Sequence, residues 1–183
     1  MSGAARALIL DRDGVINEEV GYLVRPEDVR FTTGLHSLCR SAQRLGYKLV
    51  VVTNQSGIAR GYYTEEDYQT LMAWMRAELA REGITLDAVY HSPDHPDYPE
   101  KRKRDEDWRK PGPGMLLAAA RDLGLELAAS VFVGDQCTDV AAGNAAGVRK
   151  MFLVSGGKTA ECAGNYEPVA GLEEVEDWLE ARK

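Results

Sequence analysis

Residues 7–15 read ALILDRDGV, and this stretch decides the fold. The apolar run Ala7–Leu10 has the length of a short buried strand, and it leads directly into the polar segment Asp11–Val15. Three more short apolar runs lead into polar or glycine-containing segments, at Leu49–Thr53, Val131–Val133 and Met151–Val154. Continuously apolar strands of this kind are typical of a parallel sheet that is covered by helices on both faces.

Helical periodicity separates these predicted strands. Apolar residues recur every three or four positions in three segments, which are Leu35–Leu45, Tyr68–Leu79 and Leu116–Leu123. Thr64 and Asp67 resemble a capping box, which predicts a helix start at Thr64. Residues Leu172–Ala181 are predicted to form a short closing helix. The alternation predicts an α/β fold, with a three-layer Rossmann-like parallel sheet and helices on both faces.

Length and composition favour one globular domain. A chain of 183 residues is long enough for one domain with a substantial hydrophobic core but short for two such domains, so we predict a single domain over residues 1–183. The net charge of -7 argues against binding to nucleic acid or to a membrane surface. No secretory signal is recognisable, and the three scattered cysteines are typical of free thiols in a reducing cytosol.

One irregular region interrupts the pattern at about residues 92–109, which read SPDHPDYPEKRKRDEDWR. Its three prolines and dense mixed charge predict an extended, self-structured loop rather than a linker. The basic run Lys101–Arg104 is flanked by acidic residues, which indicates a solvated surface and not a nucleic-acid site.

Two polar clusters follow the first two predicted strands, where ligands of parallel sheets gather. Asp11 and Asp13 can converge on one cation together with a phosphate as the chain turns at Gly14, although an ordinary Asp-Gly turn has the same pattern. Thr53 and the polar residues after it can hold phosphate oxygens, or can simply cap the next helix. Each cluster is therefore only a moderate signal by itself.

Two further clusters lie later in the chain. Arg109 and Lys110 can bind phosphoryl oxygens, whereas an isolated basic pair is usually a solvated surface feature. Asp135 and Asp139 lie four residues apart at a predicted strand-to-helix junction. We favour Asp135 as a metal ligand, and Asp139 as a residue that orients the helix start or the ligands of the ion.

In this order the four clusters resemble the motifs of the haloacid dehalogenase-like hydrolase superfamily, over residues 7 to about 154. The resemblance implies that Asp11 is the nucleophile that forms a phospho-aspartate, and that Asp13 is the general acid and base. It also implies that Thr53 and Lys110 hold the phosphoryl oxygens. Mg²⁺ would be bound by Asp11, by the carbonyl group of Asp13 and by Asp135.

A narrower resemblance is carried by four stretches, which are DRDGVIN (11–17), GY (21–22), TNQSGIARG (53–61) and RKPGPGM (109–115). They are similar to the D-glycero-D-manno-heptose 1,7-bisphosphate phosphatase family, which lacks a large cap domain. This implies a cytoplasmic enzyme that removes the 7-phosphate of a sugar bisphosphate in bacterial lipopolysaccharide precursor synthesis. The implied substrate-binding residues are Arg12, Glu19, Val20, Gly21, Tyr22, Asn54, Gln55, Ser56 and Arg109. We expect a monomer.

The chain departs from that family in the loop at 92–109. Many relatives bind zinc there through a Cys-x-His pair and a Cys-x-Cys pair, but here the four positions are Ser92, Asp94, Glu106 and Trp108. No structural zinc is expected, because no thiolate ligand remains in the loop. The potential metal ligands that this region retains are His91, Asp94, His95 and Asp97. We expect inward packing of Trp108 to order the loop instead.

Three alternatives remain open at this point. Histidinol-phosphatases belong to the same subgroup, although Ser56 and the Gly21-Tyr22 pair favour the heptose enzymes by resemblance. A receiver-like phospho-acceptor signalling module also combines Asp, Thr and Lys on a parallel sheet, but its acceptor follows a middle strand of the sequence. An inactive phosphosugar-binding relative is disfavoured, because no catalytic position is substituted.

Overall fold

Six parallel strands form one sheet in the computed structural model, which describes residues 4–155 and 161–182. The strands are β1 (Arg6–Leu10), β2 (Tyr47–Asn54), β3 (Ala88–Ser92), β4 (Val131–Gly134), β5 (Lys150–Val154) and β6 (Glu167–Val169). The helices are α1 (Leu35–Arg44), α2 (Gly57–Arg60), α3 (Glu65–Arg81), α4 (Gly114–Leu123), α5 (Cys137–Ala146) and α6 (Leu172–Glu180). The order across the sheet is β3-β2-β1-β4-β5-β6, so β1 lies between the two strands that precede the other main polar clusters.

Alternate strand residues face two separate hydrophobic cores. Leu8, Leu49 and Val131 pack in one core with apolar residues of α1, α3 and α6. Ile9 and Val50 point the other way, into a core that contains residues of α4 and α5. In β1 all the residues from Ala7 to Leu10 are fully buried, which explains why the strand is apolar on both faces.

The predicted α/β fold with helices on both faces is confirmed, and the described residues form no large cap domain. The four predicted strands are present, and each is longer than predicted by one or more residues. The sequence patterns did not predict β3 and β6. Both are edge strands. β3 is mostly half-buried, and β6 has only three residues with Pro168 at its centre. Neither therefore has the continuous apolar run of a central strand.

The predicted capping box opens α3. The Thr64 hydroxyl accepts a hydrogen bond from the backbone N–H of Asp67 at 3.1 Å, and the Asp67 carboxylate accepts one from the backbone N–H of Thr64 at 2.8 Å. These bonds satisfy donors that the first helical turn leaves without partners. The cap fixes the chain directly after Tyr63, whose hydroxyl donates to Gln55 just beyond the end of β2.

The prediction that all three cysteines are free was wrong for two of them. Cys137 and Cys162 form a disulfide that joins the start of α5 to the segment before β6. The two residues are 25 positions apart, and only the parallel packing of β4, β5 and β6 brings them together. Cys39 is a free, buried thiol whose pKa is raised to about 12 by burial.

The segment at 92–109 is a structured loop with short helical turns at Pro99–Lys101 and Glu106–Trp108. Trp108 packs inward, as expected, against the core on the α4 side, and its indole N–H donates to the carbonyl oxygen of His91 at 2.8 Å. The side chains of Lys101–Arg104 are exposed. In the described part of the chain, no helix combines the length and the apolar character that a bilayer crossing needs.

Replacing Thr64 by alanine should lower the free energy of unfolding by about 1 kcal/mol, because the N–H of Asp67 loses its acceptor. Urea unfolding of the purified protein measures this difference. Thr70→Ala is the matched control, since Thr70 is exposed within α3 and alanine is the better helix former, so its stability should be unchanged or slightly higher. Equal losses in the two variants would contradict a capping role.

Candidate active site

The carboxyl ends of β1, β2 and β4 open into a cavity of about 400 Å³. Its lining residues are Asp11, Arg12, Asp13, Glu19, Gly21, Tyr22, Asn54, Gln55, Ser56, Tyr63, Arg109, Lys110, Asp135, Gln136 and Thr138. Two of the sequence-predicted residues are absent from this lining. Thr53 is buried behind Gln55, and the side chain of Val20 is exposed and lines a neighbouring surface depression with Asp28 and Arg30.

Asp11 lies at the floor of the cavity, directly after β1. Its carboxylate accepts a hydrogen bond from the backbone N–H of Arg12 at 2.6 Å and lies 3.0 Å from the ammonium group of Lys110. Burial raises the pKa of Asp11 well above its usual value, against the opposing effect of Lys110, and the nearby carboxylates of Asp139 and Asp135 raise it further. A bound cation would relieve this excess of negative charge.

Three side chains hold the carboxylate of Asp13. The guanidinium group of Arg12 donates to both of its oxygens at 2.9 Å, and the amide of Asn17 donates to Oδ1 at 3.0 Å. The amide of Gln55 donates to Oδ2, also at 3.0 Å. Arg12 was predicted to bind substrate, and it does line the cavity, but its Nε and Nη2 atoms are engaged by Asp13.

Gly14 allows the chain to turn between these two aspartates and the rest of the site. Its φ is +81°, a left-handed conformation that favours glycine. A Cβ atom at this position would lie 2.2 Å from the carboxylate of Asp135, so no other residue lets the two segments approach so closely. The turn therefore brings the end of β1 and the end of β4 into contact.

Lys110 is almost fully buried and its ammonium group has three acceptors. These are the carboxylate of Asp139 at 2.6 Å, the carboxylate of Asp11 at 3.0 Å and the carbonyl oxygen of Val52 at 3.0 Å. Burial opposes the charge, but the two carboxylates prevail and raise the pKa of Lys110. The side-chain amide of Asn54 bonds both the N–H and the carbonyl oxygen of Lys110, and so fixes its backbone.

Three carboxylates, those of Asp11, Asp135 and Asp139, bring one oxygen each within 4.8 Å of one another. Burial raises the pKa of Asp135 to about 6, although a hydrogen bond from Gln136 opposes the shift. Oxygen ligands and uncompensated negative charge are what Mg²⁺ requires. Asp139 is the poorest candidate ligand, because one oxygen contacts Lys110 and the other accepts the N–H groups of Asp135 and Gln136.

The mouth of the cavity combines a carboxylate, an aromatic ring and a cation. The carboxylate of Glu19 accepts the N–H of Gly21 at 2.6 Å, and burial raises the pKa of Glu19. The ring of Tyr22 is half exposed and lies 4.5 Å from the ring of Tyr62. Arg109 donates to the carbonyl oxygen of Asp94 at 2.8 Å. Such a mouth can bind a polar, anionic small molecule.

Three lining residues were not identified from the sequence, namely Tyr63, Gln136 and Thr138. Gln136 and Thr138 lie inside the stretch 134–139, where attention fell on the two aspartates. Tyr63 precedes the predicted cap at Thr64, and its contact with Gln55 depends on how α2 folds back. The sequence carries no local signal for that contact.

Comparison with known proteins shows similarity along most of the chain. The family described as HAD-hydrolase-like matches residues 107–178. The D-glycero-alpha-D-manno-heptose-1,7-bisphosphate 7-phosphatase of Burkholderia mallei is 48% identical over 81% of this chain and 79% of its own. The D-glycero-beta-D-manno-heptose-1,7-bisphosphate 7-phosphatase of Vibrio cholerae is 41% identical, over 95% and 94%.

A solved structure is similar as well. The D,D-heptose 1.7-bisphosphate phosphatase of B. bronchiseptica, complexed with magnesium and phosphate, superposes with a TM-score of 0.84 at 29% identity. The match covers 97% of this chain and 99% of that one. The two chains therefore share one architecture over the matched residues.

Asp139 and Asp135 should respond differently to removal of their charge. Asp139→Asn should lower the free energy of unfolding by about 3 kcal/mol, because it leaves the buried ammonium group of Lys110 with one carboxylate fewer. Asp135→Asn should leave stability unchanged or higher near neutral pH. A carboxyl group whose pKa is raised by folding destabilises the folded state once it ionises, and asparagine cannot ionise.

Urea unfolding in the presence of a chelator measures both variants without the contribution of bound metal. A loss in Asp135→Asn as large as that in Asp139→Asn would show that Asp139 has no special part in holding Lys110.

Proposed function

The chain belongs to the D-glycero-D-manno-heptose-1,7-bisphosphate 7-phosphatase family of HAD-like hydrolases, and we propose that it hydrolyses the 7-phosphate of that sugar bisphosphate. One observation carries the proposal. The carboxylate of Asp11 lies at the floor of the cavity, 3.0 Å from the ammonium group of Lys110 and close to two more carboxylates. A nucleophile, a phosphate-binding cation and a set of metal ligands are therefore assembled at one point.

In the proposed reaction Asp11 attacks phosphorus, and the bond between phosphorus and the sugar oxygen breaks. The protonated carboxyl group of Asp13 gives its proton to the departing sugar oxygen, which leaves as a hydroxyl. Asp13, now a carboxylate, then takes a proton from a water molecule that attacks the phosphorus of the phospho-aspartate. Inorganic phosphate leaves and the carboxylate of Asp11 is restored.

Lys110 and Thr53 hold the phosphoryl oxygens during both steps. Lys110 supplies positive charge from a buried position, where charge acts more strongly than in water. Thr53 supplies a hydroxyl from the end of β2. Asn54 positions Lys110 relative to Thr53, because its side-chain amide bonds the backbone of Lys110 at the end of β2, next to Thr53.

Mg²⁺ fits the donor set of this site. Asp11, Asp135 and the backbone carbonyl of Asp13 would hold it, with Asp139 orienting Asp135 and Lys110. When bound, the ion offsets the negative charge of the phosphoryl group and of the carboxylates. Burial, and to a smaller extent the neighbouring carboxylates, raises the pKa of Asp11 and of Asp135, and a bound cation would favour the ionised form of both groups, which supports this assignment.

The rest of the sugar bisphosphate would lie in the mouth of the cavity. We assign the second phosphate to Arg109, and the sugar hydroxyls to Arg12, Glu19, Tyr22 and Ser56. The backbone of Val20 and Gly21 would form part of the mouth, and Asn54 and Gln55 would contact the substrate from deeper in the cavity. We also propose a monomer of one domain, working in the cytoplasm in heptose activation for lipopolysaccharide. The proposed cytoplasmic location rests on the family resemblance, because the disulfide removes the argument from free cysteines.

We propose further that the loop at 92–109 needs no zinc. Asp94 is buried, and its carboxylate accepts the backbone N–H of Lys103 at 2.8 Å and that of Arg104 at 3.1 Å. These bonds join the two arms of the loop, which is what a bound metal does in other proteins. The histidine side chains nearby have other partners, since His91 contacts Glu65.

Phosphate release from heptose bisphosphate should exceed release from histidinol phosphate by roughly tenfold or more in kcat/KM, because Arg109 meets a second phosphate only in the bisphosphate. The measurement compares both anomers of the bisphosphate with histidinol phosphate and fructose bisphosphate, with and without Mg²⁺. A preference for histidinol phosphate would reverse the substrate assignment.

Asp11→Asn serves as the matched control, since it keeps the size of the side chain and removes the nucleophile. It should fold normally and release no phosphate. Undiminished turnover in this variant, or full activity in the presence of a chelator, would contradict the proposed mechanism.

Asp94→Ala should raise KM for the bisphosphate by roughly tenfold, because Arg109 loses the loop geometry that holds it. Its KM for heptose 7-phosphate should change little, since that substrate lacks the second phosphate. Steady-state kinetics with both substrates checks the difference. Asp97→Ala is the control, because Asp97 is 74% exposed, and it should behave as the unmodified protein does.

Metal analysis of the active protein completes this test. Stoichiometric zinc that is needed for activity would contradict the proposal, as would equal KM changes for the two substrates in Asp94→Ala.

A further inference from the structure

Tyr63 lines the cavity and begins a chain of hydrogen bonds that reaches Asp13 through Gln55. Its hydroxyl donates to the side-chain carbonyl oxygen of Gln55 at 2.6 Å. The amide nitrogen of Gln55 donates to the hydroxyl oxygen of Thr53 at 2.8 Å and to the carboxylate of Asp13 at 3.0 Å. Gln55 and Thr53 are each 1% exposed, so water has little access to these bonds.

The bonds at both ends of Gln55 require one orientation of its amide. The carboxyl group of Asp13 accepts from Arg12 and Asn17, and the amide nitrogen of Gln55 faces its Oδ2 at 3.0 Å, so the carbonyl oxygen of the same amide faces Tyr63. Burial raises the pKa of Tyr63 to about 12, so its hydroxyl keeps its proton near neutral pH and remains a donor. If the amide turned over, two acceptors would meet at Asp13 and two donors would meet at Tyr63.

This orientation also sets the direction of the Thr53 hydroxyl. A hydroxyl oxygen that accepts a hydrogen bond from Gln55 keeps its own hydrogen for another acceptor. In the proposed phosphatase reaction that acceptor is a phosphoryl oxygen. Through one amide, Tyr63 thus acts on the phosphate-binding hydroxyl and on the general acid.

We propose that Tyr63 is a positioning residue that fixes the amide of Gln55, and through it orients Thr53 and Asp13 for phosphoryl transfer. This inference rests on the proposed function, because it names the reaction that the orientation serves. Nothing in the sequence pattern pointed to Tyr63, and its role follows from the direction of three hydrogen bonds.

The ring of Tyr63 is held in place by its packing. It lies over the backbone of Gly57, where a Cβ atom would come within 2.1 Å of a ring carbon. On another side the ring of Tyr22 lies 6.4 Å away, centroid to centroid. The absence of a side chain at position 57 is therefore what lets the hydroxyl of Tyr63 reach Gln55.

Tyr63→Phe should lower kcat for phosphate release by roughly tenfold, the effect of one lost hydrogen bond of this strength. KM should stay within about twofold, because the variant removes no group that is assigned to bind the substrate. The matched control is Tyr68→Phe. Tyr68 is also buried, but its hydroxyl has no hydrogen-bond partner among the described residues, so its removal should change kcat by less than about twofold.

A double-mutant cycle with Gln55→Ala separates positioning from general support. If Tyr63 acts through Gln55, adding Tyr63→Phe to Gln55→Ala should lower kcat no further, whereas independent effects would multiply. Melting temperatures of all four proteins check that folding is intact.

Two results would overturn the inference. One is an equal loss of kcat in Tyr63→Phe and Tyr68→Phe, and the other is a double variant whose loss is the product of the single losses. In both cases the kcat of each variant is compared with that of the unmodified protein in the same assay. If that protein releases no phosphate from any of the substrates, the proposed function fails first, and the outcome is thereby distinguished from a failure of the inference.

Discussion

The site depends on one buried charge, the ammonium group of Lys110. Taking such a group out of water costs several kcal/mol unless acceptors surround it. Here two carboxylates and one backbone carbonyl do so, and each comes from a different segment, after β1, within α5 and at the end of β2. Because a buried ammonium group is destabilised when it loses an acceptor, its three contacts fix the relative positions of these segments. A phosphoryl group that enters the site finds the positive charge already in place.

The sheet explains why distant residues can satisfy that requirement. In a parallel sheet all the carboxyl ends lie on one edge, and β1 lies between β2 and β4, so the residues that follow these strands share a floor. Because Gly14 has no side chain, the segment after β1 can approach the carboxylate of Asp135, which follows β4. Burial raises the pKa of Asp11 and of Asp135, and the excess of carboxylates over Lys110 raises both further. The geometry that binds lysine therefore also creates a site for a cation.

Much of this arrangement was predictable from the sequence, because its signals are local. Continuous apolar runs predicted the central strands, and the polar residues at their ends predicted the shared floor, including Asp11 and Asp135. Lys110 was predicted from the Arg109-Lys110 pair and the family resemblance. What could not be predicted depends on contacts between segments. The hydrogen bond of Tyr63 to Gln55 needs the turn of α2, and the disulfide of Cys137 needs the order of the last three strands. Spacing along the chain carries no information about either.

Under the proposal that the loop at 92–109 needs no zinc, several weaker contacts order the loop instead of a metal ion. A structural zinc site contributes about 10–16 kcal/mol of binding free energy, whereas one hydrogen bond to a carboxylate contributes about 1.5–3. The two bonds of Asp94 therefore fall short of a metal by themselves. Burial of Trp108 against the α4 side of the core adds apolar area, and Lys101 donates to the carbonyl of Ala59 at 2.9 Å. Distributing the stabilisation over several contacts ties the loop to α2 as well as to the core, and Arg109, which lines the cavity, donates to the carbonyl oxygen of Asp94 in this loop.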